Sequence, residues 1–233
     1  MHNRAADEPP DRRRSAWTDN AEKMMTKFTD LIEGYYRFRG GEWLNQRERW
    51  AQLSEGQAPK VMIIACSDSR VDPATIFGSQ PGEVFVVRNV ANLVPPFDTS
   101  GGLHGVSAAV EFAVTKLGVE EIVVLGHGAC GGVNAALTRS LENASHGEGA
   151  FVADWIALLD EARDKVLAEH GEGQAGQRAL EQECVRVSMR NLMTFPWVAE
   201  RVESGALTIH GAVFAIADGK LRVLEADDSF IPA

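Results

Sequence analysis

Two short segments carry the residues best suited to binding a metal ion. The first, CSDSR, begins at Cys66, and the second, GHGACGG, contains His127 and Cys130. Two thiolates and an imidazole form a borderline-soft ligand set that suits zinc. Three protein ligands leave a fourth position open, which is the catalytic rather than the structural pattern. The set therefore predicts a zinc ion that activates water.

A carboxylate and a guanidinium accompany the first thiolate. Asp68 follows Cys66 by two residues, so it is a possible fourth zinc ligand, or it accepts a hydrogen bond from a zinc-bound water. Arg70 would keep Asp68 ionised and could draw it off the metal. An isolated Asp-x-Arg is usually a surface ion pair, but beside Cys66 we interpret it as catalytic.

Three apolar runs must position these segments. VMIIA (61–65), VFVV (84–87) and EIVVL (121–125) are short and rich in β-branched residues, which predicts buried parallel strands. CSDSR directly follows the first run, and GHGACGG follows the third. Ligands of open parallel sheets bind at the carboxyl ends of the strands, so we expect the three metal ligands to converge there.

Helices are predicted between and after these strands. One begins at Thr99 or Ser100 and ends at Gly118, which makes a βαβ crossover. Others are predicted from near Gly132, over residues 151–169, and over residues 178–203 with an interruption at Pro196. Asp218-Gly219 between two apolar runs predicts a hairpin. The expected fold is α/β, with a mainly parallel central sheet flanked by helices, an N-terminal helical arm and a C-terminal β-hairpin.

The N-terminal part divides by composition. Residues 1–16 are polar and predict a disordered tail, whereas residues 17–56 predict a helical arm for dimerisation, and residues 57–233 form the zinc-binding α/β domain. The first arm helix is expected to begin at Thr18 or Asp19 and to end at Gly40-Gly41. Its apolar stripe comprises Met24, Met25, Phe28, Leu31, Ile32 and Tyr35, and a second short helix carries Trp43, Leu44, Trp50 and Leu53.

Composition excludes several classes of protein. The net charge of −10 argues against nucleic acid as a partner, because phosphates require a basic surface. Three widely spaced cysteines do not suggest a disulfide framework. No apolar run reaches the roughly 18 residues that span a bilayer, and no apolar segment follows the N-terminal charges. We therefore expect a cytoplasmic protein that does not bind membranes.

A dinucleotide site is a rival interpretation of the second segment. Gly126, Gly128 and Gly131 spell G-x-G-x-x-G between a predicted strand and a predicted helix. The acidic residue expected roughly 20 positions later, at the end of a second strand, is missing. A histidine and a cysteine also occupy positions where backbone would approach pyrophosphate, so we attribute the glycines to tight backbone around a metal.

Cys66-Ser-Asp68-Ser-Arg70 followed by His127-x-x-Cys130 resembles the β-class carbonic anhydrases, in their plant-type branch. The likeness continues through PGEVFVVRNVAN, PPFD and GVSAAVEFAV and covers roughly residues 55–140. It implies reversible hydration of carbon dioxide to bicarbonate and a proton by a zinc-bound hydroxide. It also implies a homodimer or a higher even homo-oligomer, without deciding between dimer, tetramer and octamer.

The resemblance also implies substrate contacts. It implies a Gln57 amide that reaches the substrate from the neighbouring subunit, and a backbone N–H donor at Gly131 or Gly132. An apolar wall that receives carbon dioxide is implied at Phe85, Val90 and Phe112. Two other functions remain open: a hydrolase of carbonyl sulfide or carbon disulfide on the same scaffold, and a non-catalytic zinc-binding or thiol-sensing module.

The sequence predicts that bicarbonate does not switch the activity. In the bicarbonate-inhibited branch of the family, a Trp, an Arg and a Tyr bind a non-catalytic bicarbonate, whereas the matching positions here hold Ile63, Arg88 and Phe214. Arg88 alone should not make that pocket. We expect no sigmoidal pH activation in a bicarbonate titration of the activity, and sigmoidal activation with bicarbonate bound near Arg88 would contradict this.

Overall fold

The computed structural model describes residues 27–233, which form two compact units. The first ends at Gly56 and contains three helices, α1 (Phe28–Gly40), α2 (Glu42–Asn45) and α3 (Arg47–Glu55). The second runs from Gln57 to Ala233 and contains a six-stranded sheet with the remaining helices. No helix among the described residues is long and apolar enough to cross a membrane.

The helices of the first unit differ from the prediction within the described residues. Lys27 is extended (φ −95°, ψ 165°) and its backbone N–H donates to the Asp30 carboxylate, so α1 begins at Phe28, while the predicted start at Thr18 or Asp19 lies outside the described residues. The second predicted helix is interrupted at Gln46 and forms α2 and α3. The predicted tail, Met24 and Met25 lie outside the described residues.

Helix α1 has the predicted apolar stripe, but none of its residues is buried. Phe28, Leu31 and Tyr36 expose 74%, 59% and 63% of their surface. A contiguous apolar surface of this kind marks an interaction site in soluble proteins.

The sheet of the second unit has the order β2-β1-β3-β4-β5-β6. Its first four strands are parallel, and the last two are added antiparallel at one edge. The strands are β1 (Val61–Cys66), β2 (Val84–Asn89), β3 (Glu121–His127), β4 (Thr208–Ala215), β5 (Lys220–Leu224) and β6 (Phe230–Pro232). This is the predicted α/β fold with a mainly parallel sheet, and β6 is an addition that the sequence analysis did not predict.

Strands β1 and β3 are neighbours and run slightly further than predicted. Cys66 is the last residue of β1, and His127 is the last residue of β3. Both ligands therefore point from rigid, hydrogen-bonded backbone at the same end of the sheet, as expected for a parallel arrangement.

The crossover helix starts later than predicted. Asp98 accepts a hydrogen bond from the Ser100 N–H and shapes a turn, so α5 begins only at Gly105. Helix α5 runs to Glu111, and the chain continues as one π-helical turn over Phe112–Leu117. The turn ends at Gly118, which adopts a left-handed conformation with a φ of 67°. Leu103, which was expected on the helix, is fully exposed outside it.

The other helices follow the predicted order with shifted boundaries. Asp72 caps α4 through the Thr75 N–H, with Pro73 in its first turn. The segment predicted at 151–169 contains a 3-10 turn, Ala157–Leu159, between two helices, and Pro196 starts a new helix. The helices are α4 (Pro73–Phe77), α6 (Gly131–Thr138), α7 (Ala150–Ile156), α8 (Asp160–His170), α9 (Gln174–Leu192) and α10 (Pro196–Glu203).

Helix α9 packs directly on β3 and β4 because glycines face it. A Cβ atom on Gly211 of β4 would lie 2.7 Å from Met189 Sδ and 2.9 Å from Val185 Cγ1, both on α9. A Cβ on Gly126 of β3 would meet Val185 Cγ2 at 2.7 Å. These distances are shorter than ordinary van der Waals contacts. The close approach of α9 to the sheet therefore requires glycine, which has no Cβ atom, at these two positions.

We expect Gly211→Ala to lower the free energy of unfolding by about 1–3 kcal/mol, because the added methyl group overpacks the contact between helix and sheet. Denaturant unfolding followed by circular dichroism measures the loss. Gly173→Ala is the matched control, since a Cβ there has no neighbour within 4 Å. Equal stability of the two variants would contradict the close packing.

Candidate metal centre

The three predicted metal ligands converge in the structure. Cys66 ends β1, His127 ends β3, and Cys130 is the residue that caps the N-terminus of α6. Their ligand atoms all lie within 4.8 Å of one another, and the two sulfurs are 4.0 Å apart. The three residues expose between 1% and 5% of their surface. The site is therefore built from the carboxyl edge of the sheet and the first turn of one helix.

The His127 imidazole is oriented for ligation. Its Nδ1 lies 2.9 Å from the Gly128 carbonyl oxygen, an acceptor that fixes Nδ1 as the protonated nitrogen. Nε2 then carries a free lone pair, and it is buried without a hydrogen-bond partner. A buried polar atom without a partner is costly, and a cation at the centre of the three residues would satisfy it.

The two thiols oppose each other's ionisation. The hydrogen bond from Cys130 holds the pKa of the Cys66 thiol well below its ordinary range, helped by the His127 imidazole and the backbone N–H groups of Asp68 and Ala91. The same contact, together with burial, raises the pKa of Cys130 far above its ordinary range. Burial lowers the pKa of His127, but Cys66, the Gly128 carbonyl and Asp68 together outweigh it, so the imidazole pKa is raised. A divalent cation would remove this conflict by stabilising both thiolates.

The dimensions and chemistry of the three residues fit zinc. Tetrahedral zinc with Zn–S bonds of 2.3 Å separates two sulfurs by about 3.8 Å, close to the distance observed between the two thiols. Cysteine and neutral histidine are the ligands that zinc prefers, and three of them leave one position for water or substrate. Cys66, His127 and Cys130 could thus hold one metal ion, and their chemistry fits zinc.

Asp68 and Arg70 form a two-point ion pair beside this centre. Arg70 Nε donates to Asp68 Oδ1 at 2.9 Å and Nη2 donates to Oδ2 at 2.6 Å, while the Arg70 backbone N–H also reaches Oδ1 at 3.0 Å. The Arg70 guanidinium holds the pKa of the Asp68 carboxyl well below its usual range. Arg70 thus binds both oxygens of the Asp68 carboxylate. Of the two roles considered for Asp68, this arrangement is the pairing with Arg70 and not ligation of the metal.

Arg88 holds the loop that follows β1. Its Nε donates to the Cys66 carbonyl at 2.9 Å, and its Nη2 donates to the Asp68 carbonyl at 2.7 Å. Its Nη1 lies 3.2 Å from the Asp72 carboxylate. The donors of Arg88 thus bind the protein's own oxygens, a role that the sequence did not predict. The expected absence of a bicarbonate switch stays a prediction.

The loop after β3 approaches the chain after β2 closely. Ala129 has a positive φ of 55°, and its carbonyl accepts a hydrogen bond from Arg70 Nη2 at 3.1 Å. A Cβ on Gly132 would lie 2.7 Å from Val90 Cγ1, so only glycine allows Val90 to sit against the start of α6. Val90 and the N–H groups of Gly131 and Gly132 thus belong to the surroundings of the metal centre.

The other predicted substrate residues lie apart from the metal ligands of their own chain. Phe85 and Phe112 contact each other, with ring centroids 5.9 Å apart. Phe85 precedes Asn89, the residue paired with Cys66, by four positions, which is about 13 Å along the strand. Gln57 is exposed in the loop before β1. A single chain therefore does not bring these three side chains to its own metal centre.

The third cysteine and three of the histidines have plain structural roles. Cys184 is a buried free thiol. His210 lies in β4, and His146 lies in a turn where its ring contacts Phe151. His104 precedes α5, and its Nε2 lies 3.0 Å from the Gly101 carbonyl oxygen.

Sequence reasoning missed the support that α9 gives to Cys130. The Cys130 N–H donates to Glu181 Oε1 at 3.1 Å, and Gln177 Nε2 donates to the Cys130 carbonyl at 3.1 Å. Glu181 is only 4% exposed. A glutamate on the inward face of a helix was the signal, but its partner is 51 residues away and no local pattern reveals it.

Comparison with known proteins identifies the class first. A family model described as carbonic anhydrase matches residues 61–221, which include every metal ligand. The chain is 35% identical over 193 residues to "Beta carbonic anhydrase 5, chloroplastic" of Arabidopsis thaliana, a match that covers 82% of this chain and 62% of that protein's length. The chain therefore belongs to the β-carbonic anhydrase family. That relative is named as chloroplastic, and the cytoplasmic location stays a prediction.

Solved structures agree with this family. The β-carbonic anhydrase CcaA has a TM-score of 0.81 and 33% identity, covering 88% of this chain and 91% of that chain. One of the structures described as two tetrameric β-carbonic anhydrases from Sordaria macrospora has a TM-score of 0.72 and 31% identity, covering 85% and 97%. The predicted fold class and family are thereby confirmed.

We expect Arg88→Leu to lower the free energy of unfolding by about 1.5–3 kcal/mol, since hydrogen bonds from a charged donor to two loop carbonyls are lost. Denaturant unfolding measures the effect. Lys165→Leu, which removes an exposed ion pair with Glu161 on α8, is the control and should change stability by no more than about 0.5 kcal/mol. Similar losses in both variants would contradict the role of Arg88 in holding the loop.

Proposed function

We propose that this chain catalyses the reversible hydration of carbon dioxide to bicarbonate and a proton, with Zn²⁺ held by Cys66, His127 and Cys130. The observation that carries the proposal is the buried convergence of two sulfurs and an unpartnered imidazole nitrogen. Membership of the β-carbonic anhydrase family supports it independently.

Zinc at this centre would supply Lewis acidity, which lowers the pKa of a water molecule so that a nucleophile exists near neutral pH. The protein's contribution is to fix the ligands and the approach to them. Cys66 and His127 are anchored by strand backbone, and Cys130 is anchored at the first turn of α6, so the ligand geometry is set before metal binds.

Asp68 orients the attacking nucleophile. Its low pKa keeps it an acceptor over the physiological pH range, and its pairing with Arg70 fixes the direction in which its oxygens point. A carboxylate held in this way accepts a hydrogen bond from the nucleophile and aims the remaining lone pair at the carbon of carbon dioxide. Arg70 acts by holding Asp68 ionised and off the metal.

The substrate pocket is completed by a second copy of the chain. Val90 and the N–H groups of Gly131 and Gly132 come from the chain that holds the metal, and the amides stabilise the developing negative oxygen. Phe85, Phe112 and Gln57 lie too far from that metal and are supplied by the partner. Phe112 is 46% exposed in the single chain, which is expected for an apolar side chain that is buried only when a partner subunit binds.

A homodimer or a higher even oligomer is therefore the functional unit of this proposal. The apolar, unburied surface of α1 supports an arm at residues 17–56 that serves dimerisation, and residues 57–233 carry the zinc site. The tetrameric enzymes of Sordaria macrospora show that relatives assemble in even numbers.

Single substitutions test the ligand assignment. We expect Cys66→Ser to lose bound zinc, since a hydroxyl is a poor replacement for a thiolate ligand, and the zinc content is measured by elemental analysis of the purified protein. Cys184→Ser is the matched control, because this buried thiol lies outside the ligand cluster and should leave one zinc per chain. Loss of zinc from both variants, or from neither, would refute the ligand set.

Asp68→Asn separates catalysis from metal binding. It should retain zinc but lower the stopped-flow rate of carbon dioxide hydration by about 10–100-fold, because the amide presents a donor where an ionised acceptor is needed. Parallel assays with carbonyl sulfide and carbon disulfide test the alternative substrates. A zinc-loaded wild-type protein that is inert on carbon dioxide would refute the proposed activity.

A further inference from the structure

One face of α9 binds the backbone of the loop after β3 and of the chain that follows β2. Five residues spaced four and three apart share this face: Gln177, Glu181, Cys184, Ser188 and Asn191. The first two contact Cys130. The other three donate to the carbonyls of Ala91, Asn92 and Val94 at 2.9, 3.0 and 2.8 Å. Only the first two therefore bear directly on a metal ligand.

Both peptide groups that flank the Cys130 Cα are held by α9. Glu181 accepts the N–H on one side, and Gln177 donates to the carbonyl on the other. Gln177 Nε2 also donates to Glu181 Oε1 at 2.7 Å, and Asn134 donates to Gln177 Oε1 at 2.9 Å. Fixing two consecutive peptide planes fixes the Cα–Cβ bond between them, so that only rotation about this bond remains to place the Cys130 sulfur.

The Ala129–Cys130 peptide group is held at both of its edges. Its N–H, on Cys130, donates to Glu181, and its carbonyl, on Ala129, accepts from Arg70 Nη2 at 3.1 Å. A carboxylate at one edge and a guanidinium at the other polarise the peptide in the same direction, which strengthens both hydrogen bonds. Asp68, Arg70, this peptide and Glu181 thus form one continuous chain of hydrogen bonds.

The burial of Glu181 argues against a role in packing alone. Glu181 is nearly inaccessible to solvent, and its described hydrogen bonds come from the Cys130 N–H and the Gln177 side-chain amide, not from a cationic group. A buried carboxylate lowers stability relative to an apolar side chain of similar size. Its retention is accounted for by what it binds, the backbone N–H of a metal ligand.

We propose that Glu181 is a positioning residue that aligns the Cys130 thiolate with the metal and Arg70 with Asp68 through the Ala129–Cys130 peptide. The inference rests on the proposed zinc function. Gln177 supports Glu181 in this role.

The test measures zinc release from the loaded protein to a chromogenic chelator. We expect Glu181→Leu to release zinc about 10–100-fold faster than the wild type, the range known for partners that orient metal ligands. Glu181→Gln keeps an acceptor oxygen for the Cys130 N–H and should remain close to the wild type. In the cobalt-substituted protein, Glu181→Leu should also change the absorption bands that report thiolate coordination, while Glu181→Gln should not.

Asn191→Leu is the matched control, because it removes a hydrogen bond from the same helix face but from the loop carbonyl of Val94. It should lower the free energy of unfolding without accelerating zinc release. Equal acceleration by Asn191→Leu would mean that α9 had merely loosened and would overturn the inference. Equal release from the Leu and Gln variants of Glu181 would contradict the acceptor role.

Two further outcomes are distinguishable. If Glu181→Leu does not fold, Gln177→Leu replaces it and should accelerate zinc release in the same direction, and no acceleration would overturn the inference. If the wild-type protein itself holds no zinc, the proposed function fails and this inference fails with it. Tight wild-type zinc that is indifferent to Glu181 would overturn the positioning role alone.

Discussion

The conflict between two buried thiols is the constraint on which the site depends. With their sulfurs 4.0 Å apart, Cys66 ionises readily while Cys130 resists ionisation, and the nearby imidazole nitrogen has no hydrogen-bond partner. In this structure the imidazole nitrogen has no partner, and only one of the two thiols ionises readily. A divalent cation would satisfy all three groups, because it stabilises both thiolates and accepts the nitrogen lone pair. The folded chain is in this sense prepared for a metal.

The surroundings keep these unfavourable neighbours together. Arg88 binds the backbone of the loop after β1, and Arg70 and Glu181 hold opposite edges of the peptide before Cys130. These contacts join charged side chains to main-chain groups, which ties loop geometry to rigid strands and to α9. The ligand positions are thus fixed by long-range hydrogen bonds and not by the loops themselves.

The described chain also has features that point beyond one copy. Helix α1 exposes its apolar stripe. Phe85 and Phe112 form an aromatic pair that lies apart from the three candidate metal ligands of the same chain. Both observations are explained if two chains associate and each completes the substrate pocket of the other. Burial of apolar side chains between the two chains would then contribute favourable free energy. The three candidate metal ligands come from a single chain, while the proposed carbon dioxide pocket needs two.

The order of residues along the chain was enough to predict the main strands and helices and the candidate metal ligands. Apolar runs gave β1, β2 and β3, and Cys66, His127 and Cys130 stood where parallel strands end, because periodicity and residue chemistry are local properties. Helix boundaries were less certain: α5 starts at Gly105 because the Asp98 turn displaced the predicted start. That Arg88 binds two carbonyls of the segment after β1, and that Glu181 accepts from a peptide N–H 51 residues away, became evident only in the folded chain. Arg88 meets its partners through the pairing of β2 with β1, and Glu181 meets its partner through the packing of α9 on the sheet, and no pattern along the chain encodes such distances in space.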